Sequence, residues 1–163
     1  SILAALEGSR ALLVEVQALV AGTGMQYPRQ VGNGIDRGRL AMIVAVLGRR
    51  AGLNLAGSDI FVNVAGGVRV DEPAADLAVA LAIASAHRDR PLKGKVACFG
   101  EVSLTGDLRF CIGAERRVDE ALKMGIETVV LPAKNAAALG RSYNGVELVE
   151  AGNLSLALAK VFD

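Results

Sequence analysis

From Pro73 to Ile83 the sequence reads PAADLAVALAI, and Asp76 is the only charged side chain in it. A helix that is apolar nearly all round has no face to offer water, so the rest of the chain must wrap it. Pro73 suits a first helical position. Asp71, Glu72 and Asp76 suit the positive end of a helix dipole. The run from Leu77 to Ala86 is flanked by charge and too short to span a bilayer. The stretch therefore predicts a central helix in a water-soluble core. A chain of 163 residues, 52% of them apolar, can supply that wrapping as one domain without disulfides or metal.

The elements around it follow from pattern. Arg10 to Val20 is rich in β-branched residues and Leu, with Glu15 and Gln17 on one alternating face, which predicts a strand. Residues 21–34 read as a loop by their Gly, Pro and Asn content. Asp36 to Arg50 is an amphipathic helix with Leu40, Ile43, Val44 and Leu47 on one stripe. Asp59 to Val64 is a short strand that Val68 to Val70 would continue. His87 to Lys95 is a basic loop. Val96 to Gly100 is a strand, and Glu101 to Arg109 a hairpin turning at Thr105-Gly106-Asp107. A helix over Glu115 to Met124 stops at Gly125, and Arg116 can pair with Glu120 one turn on. Thr128 to Leu131 and Val146 to Val149 are strands. Asn135 and Asn153 read as caps of two last helices. The irregular alternation points to an α+β or mixed α/β domain covering residues 1–163.

Several functions are excluded at this level. The 18 basic and 17 acidic side chains leave a net charge of +1, so no global field draws the chain to nucleic acid or membrane. Residues 1–100 do carry three more basic than acidic groups, and the remainder two more acidic than basic. Aromatics are 4% and Trp is absent, against base-stacking platforms. Cys98 and Cys111 read as small buried apolar residues of a reducing compartment, and with one histidine neither they nor it build a zinc site. Gly94-Lys95 lacks the upstream glycine of a phosphate-binding loop, so this chain alone hydrolyses no ATP. His87 has no nucleophile elbow beside it. The start at Ser1, with no basic leader, is expected of a segment of a longer cytoplasmic protein.

Three stretches taken together carry a resemblance. They are Asp71 to Ala80 (DEPAADLAVA), Phe99 to Arg109 (FGEVSLTGDLR), and Gly113 to Arg117 (GAERR) followed by Leu131 to Asn135 (LPAKN). In this order they resemble the proteolytic domain of the Lon family, a fold related to domain 2 of ribosomal protein S5. The resemblance covers nearly the whole chain. Leu12 to Val20 (LLVEVQALV), Gly34 to Leu40 (GIDRGRL) and Glu72 to Leu81 (EPAADLAVAL) are in particular similar to the C-terminal Lon-like domain of the RadA (Sms) family of bacterial DNA-repair proteins. The resemblance implies an α+β fold with a mixed sheet and packed helices.

It also implies a lost activity. Where active Lon proteases carry Gly-Pro-Ser-Ala-Gly, this chain reads Glu72-Pro73-Ala74-Ala75-Asp76, so Ala74 stands at the nucleophile's position without a hydroxyl. Counting from Gly100-Glu101, the partner lysine's position falls on Glu115. A methyl and a carboxylate make no serine–lysine dyad. In RadA-type proteins such a domain follows a zinc-finger segment and a RecA-like ATPase core. The resemblance therefore implies no cofactor here, with ATP, magnesium and a structural zinc elsewhere in the parent. It further implies a hexameric ring, DNA as partner, and work alongside a RecA-type recombinase on recombination intermediates. Candidate phosphate ligands are Arg37, Arg39, Arg49 and Arg50 of the first helix and Arg88, Arg90, Lys93 and Lys95 of the basic loop. Other readings are a Lon-type peptidase with a relocated dyad, the Lon-like domain of a magnesium-chelatase-related ATPase, and a free-standing interaction module.

Overall fold

The central helix is where the sequence puts it. In the computed structural model, which describes residues 1–162, helix α2 (Asp76–Arg88) buries nine consecutive residues from Asp76 to Ala84. Leu77, Leu81 and Ile83 are fully enclosed. Each such side chain contributes about 1.5–3 kcal/mol of transfer free energy. A single 3-10 turn, Pro73–Ala75, leads into the helix. Asp163, the last residue of the expected domain, lies outside the described residues.

One seven-stranded sheet does most of the wrapping. Its members are β1 (Ile2–Glu7), β2 (Arg10–Gly22), β3 (Gln30–Asn33), β4 (Ser58–Val64), β5 (Val96–Cys98), β8 (Thr128–Pro132) and β9 (Glu147–Ala151). The small hairpin β6 (Glu101–Val102) and β7 (Leu108–Arg109) stands apart. The order across the sheet is β3-β4-β2-β1-β5-β8-β9. β1–β2 and β2–β4 pair antiparallel, and the other four neighbours pair parallel. The mixed sheet with packed helices was expected, but α+β is too segregated a label. Helix α1 (Arg37–Arg50) crosses between β3 and β4, α3 (Ala114–Lys123) lies between β5 and β8, and α4 (Ala133–Ala138) joins β8 to β9. Parallel neighbours need such crossovers, and three of them make this a mixed α/β domain. Helix α5 (Leu154–Val161) closes the chain, capped by the Asn153 side chain, which accepts from Leu156 N at 2.8 Å.

One strand, β1, stands where the sequence reading named no element, and three local expectations are corrected. β1 pairs with β2 on one side and β5 on the other, although its ILAALE sequence carries little β preference. Burial of Leu3 and Ala4 overrides that propensity. β3 lies inside the stretch read as loop. Val68 to Val70 does not continue β4: a turn at Ala65–Gly67, with Gly66 at φ 78°, breaks the strand, and Val70 instead bridges Ile35. Asn135 is no cap. It sits inside α4, 1% exposed, and clamps the Cys111 backbone, accepting from its N at 2.9 Å and donating to its O at 2.8 Å.

Gly34 fixes the entry to α1. Its φ is +84°, and a Cβ there would lie 2.5 Å from Val68 O. Only a glycine lets the chain pass so close. The Val70 N–H donates to Gly34 O at 2.7 Å and closes the crossing.

Candidate functional site

Ala74 sits in the turn that starts α2, 4% exposed. The turn is stitched to the end of β5: Gly100 N donates to Ala74 O at 2.9 Å and Leu77 N to Gly100 O at 3.0 Å. In front of Ala74 lies a cavity of about 350 Å³, walled by Leu6, Pro73, Phe110 and Ile112 with the carboxylates of Glu72 and Glu101.

Arg117, not Glu115, faces this cavity from α3. Glu115 lines a separate cavity of about 310 Å³ with Arg116 and Leu139, and its carboxylate accepts from Gly140 N at 3.0 Å. Two residues along a helix are about 200° apart, so positions 115 and 117 look in opposite directions. Arg117 is 2% exposed. It donates to Ala4 O at 2.7 Å and Ile112 O at 3.0 Å, pairs with Glu72 at 2.6 Å, and lies over the Phe99 ring. The second Glu72 oxygen accepts from Leu6 N at 2.7 Å. A guanidinium keeps its charge and cannot take a proton from a nucleophile. Its position was not picked out in the sequence; the apolar spacing of Val118 and Ala121 beside it was the available signal.

The acids at the helix start, expected to serve the helix dipole, each meet an arginine. Asp71 pairs with Arg69 at 2.9 Å on the surface. Asp76, 1% exposed, receives Arg39 through two hydrogen bonds, Nε to Oδ1 at 2.8 Å and Nη2 to Oδ2. It also accepts from Val102 N at 3.0 Å. Burial outweighs these partners and pushes the Asp76 carboxyl above the usual carboxylate range. The same contact with Asp76 raises the already high pKa of Arg39. Arg39 thus ties α1 to α2 and the hairpin, and its charge is answered inside the domain.

The other basic candidates separate into two groups. Arg37, Arg49 and Arg50 are exposed on α1. Arg50 Nε donates to Leu104 O at 3.4 Å, at the tip of the hairpin. Helix α2 runs on to Arg88, so the basic loop begins at Asp89, whose left-handed φ of 50° ends the helix. Arg88 is exposed and stacks over Phe162 at 4.8 Å. Arg90, Lys93 and Lys95 are exposed in that loop. The hairpin tip holds the start of α5, where Leu154 N donates to Gly106 O at 2.8 Å. The basic loop holds its end, where Lys93 N donates to Val161 O at 2.9 Å. Arg49 and Arg50 at the end of α1 and the basic loop therefore stand at opposite ends of an eight-residue helix about 12 Å long, while Arg37 lies at the other end of α1. Arg116 reaches Ser9 O at 2.9 Å instead of Glu120.

Both cysteines are free and buried. Burial pushes the Cys98 thiol up to about 11 and raises Cys111 as well. Among the described residues no group of three or more His, Cys, Asp or Glu side chains converges on a metal-sized site. Among them, too, no helix is long and apolar enough to cross a membrane.

Comparison with known proteins places this arrangement. Residues 37–135 match the family model described as subunit ChlI of Mg-chelatase. DNA repair protein RadA of Escherichia coli is 44% identical over 163 residues, covering 100% of this chain and 35% of that protein. RadA of Bacillus subtilis is 42% identical over 158 residues, 97% of this chain and 34% of that protein. RadA of Salmonella typhimurium is 47% identical over 135 residues, 83% and 29% respectively. The chain spans about a third of the length of these relatives.

Proposed function

Because the chain belongs to the ChlI-type family and is a RadA-family segment, we propose that it is the Lon-like domain of a RadA-type DNA-repair protein, a scaffold without peptidase activity. The observation that carries the reading is the cavity at Ala74. A methyl group occupies the place of a nucleophile, and the side chain that reaches the cavity from α3 is an arginine bound to Glu72. Neither can act as nucleophile or general base in acyl transfer. The Lon-type topology belongs to this proposal, as do a ring of copies and DNA contact in recombination. ATP, magnesium and a structural zinc then belong to other parts of the parent, a cytoplasmic DNA-dependent ATPase acting beside a RecA-type recombinase.

DNA contact falls to Arg49 and Arg50 at one end of α5, to Arg88, Arg90, Lys93 and Lys95 at the other, and to Arg37 at the far end of α1. A separation of about 12 Å compares with the width of a duplex major groove, so one segment of DNA can meet both groups. Three or four phosphate contacts give a slope of log K against log salt of about −3 to −4. In the full-length natural protein, Arg37, Arg49 and Arg50 changed to Ala should weaken binding to all sequences alike and flatten that slope. The chain should also neither cleave unfolded casein nor take up a fluorophosphonate label, including after Ala74→Ser. Labelling or turnover would restore the peptidase reading.

The match of residues 37–135 favours a second reading, the Lon-like domain of a magnesium-chelatase-related ATPase. The order of domains in the natural gene product separates the two. An ATPase core after this domain supports the second reading, and one before it supports the first.

A further inference from the structure

Leu104 stands at the tip of the β6–β7 hairpin with 70% of its surface exposed. The turn beneath it is cross-tied. Ser103 N donates to Asp107 O at 3.0 Å and Gly106 N to Ser103 O at 2.9 Å. Asp107 N donates to Ser103 Oγ at 3.1 Å, and the Thr105 hydroxyl to Asp107 Oδ2 at 2.9 Å. The far side is pinned to α5 by Leu154 N on Gly106 O and by the Asp107–Asn153 bridge. The backbone that carries Leu104 is thus tied on both sides of the turn.

The end of α1 lies against the same turn. Arg50 Nε donates to Leu104 O at 3.4 Å. A Cβ on Gly106 would lie 3.1 Å from Arg50 Cβ, so the stem of the arginine runs over that glycine. Arg49, one position earlier on the helix, is exposed. The tip therefore combines an apolar side chain on a cross-tied turn with the Arg50 cation, the hydroxyls of Ser103 and Thr105, and a second exposed cation, Arg49. The acid in the turn, Asp107, has its carboxylate engaged by Thr105.

From this grouping we infer that Leu104 is a wedge that enters between neighbouring bases of DNA while Arg49 and Arg50 hold the flanking phosphates. Apolar side chains that unstack a base step need a fixed support and nearby phosphate ligands, and this turn has both. The inference rests on the DNA-contact reading above and adds what the contact does to the DNA.

The test uses the full-length natural protein and duplexes carrying 2-aminopurine at internal steps and at a fork. Binding by the unaltered protein should raise the 2-aminopurine fluorescence, which reports unstacking. Leu104→Ala should lose most of that rise while affinity stays within about threefold, as for other exposed substitutions. Leu104→Met should keep the rise. Arg49→Ala with Arg50→Ala should lower affinity for every duplex. An undiminished fluorescence rise in Leu104→Ala overturns the wedge and leaves the DNA reading standing. Unchanged affinity in the double arginine variant overturns the DNA reading, and the wedge with it. If Leu104→Ala breaks assembly and leaves the fluorescence response unchanged, Leu104 is a subunit contact and the wedge is overturned.

Discussion

Asp76 shows how one buried charge is tolerated. Its carboxylate has an arginine and a backbone amide as partners, yet burial still raises its pKa. The folded value lies above the ordinary value of about 3.9. Between the two, the native state keeps a proton that the unfolded chain has released. The contribution of this group is therefore fully present below the ordinary value and is lost as pH rises through the folded one. Asp76→Asn should make unfolding free energy, measured in urea across acid pH, less dependent on pH in that interval. Asp76→Ala should cost about 3 kcal/mol, near the low end for a broken buried pair, because the Arg39 side chain it orphans is 30% exposed and part-solvated.

At the scale of elements, Gly34 carries the most specific expectation. Gly34→Ala combines a left-handed backbone with a Cβ 2.5 Å from a carbonyl oxygen, and should cost at least about 2 kcal/mol. Gly52→Ala is the control. Its φ is +71° with nothing within 4 Å, so it should cost only the backbone penalty of about 1 kcal/mol. Urea midpoints of the two variants give the comparison. Elements with a strong local pattern were legible in the sequence: the apolar α2, the stripe of α1, the alternation of β2 and the Asn153 cap. β1 and β3 were not, because what makes them strands is neighbours distant in sequence. The site was half legible. The motif and the count set Ala74 and Glu115 together, whereas the cavity at Ala74 is met from α3 by Arg117 and Glu115 lines another. The internal engagement of Arg39 was hidden for the same reason, since Asp76 is 37 residues away.

For the whole molecule, the proposed ring needs a surface on which copies meet. Phe110 and Ile112 are 52% and 73% exposed and stand side by side, because Asn135 clamps Cys111 between them and turns both outward. Sedimentation at tens of micromolar should show self-association of the chain, and Ile112→Ser should shift it toward monomer; a monomer throughout would count against intrinsic assembly. The position of β1 has another consequence. It pairs antiparallel with β2 on one side and parallel with β5 on the other, and its partner residue for Ile2 in β5 is Ala97. The hairpin with β2 closes a short loop and can form early, but the seam with β5 must gather almost a hundred residues first. Closing such a span is entropically costly, so topology assigns the β1–β5 seam to the late, slow part of folding. Until that seam forms, the edges of both half-sheets stand open to any other strand, and the chain is then most exposed to mispairing with its own kind.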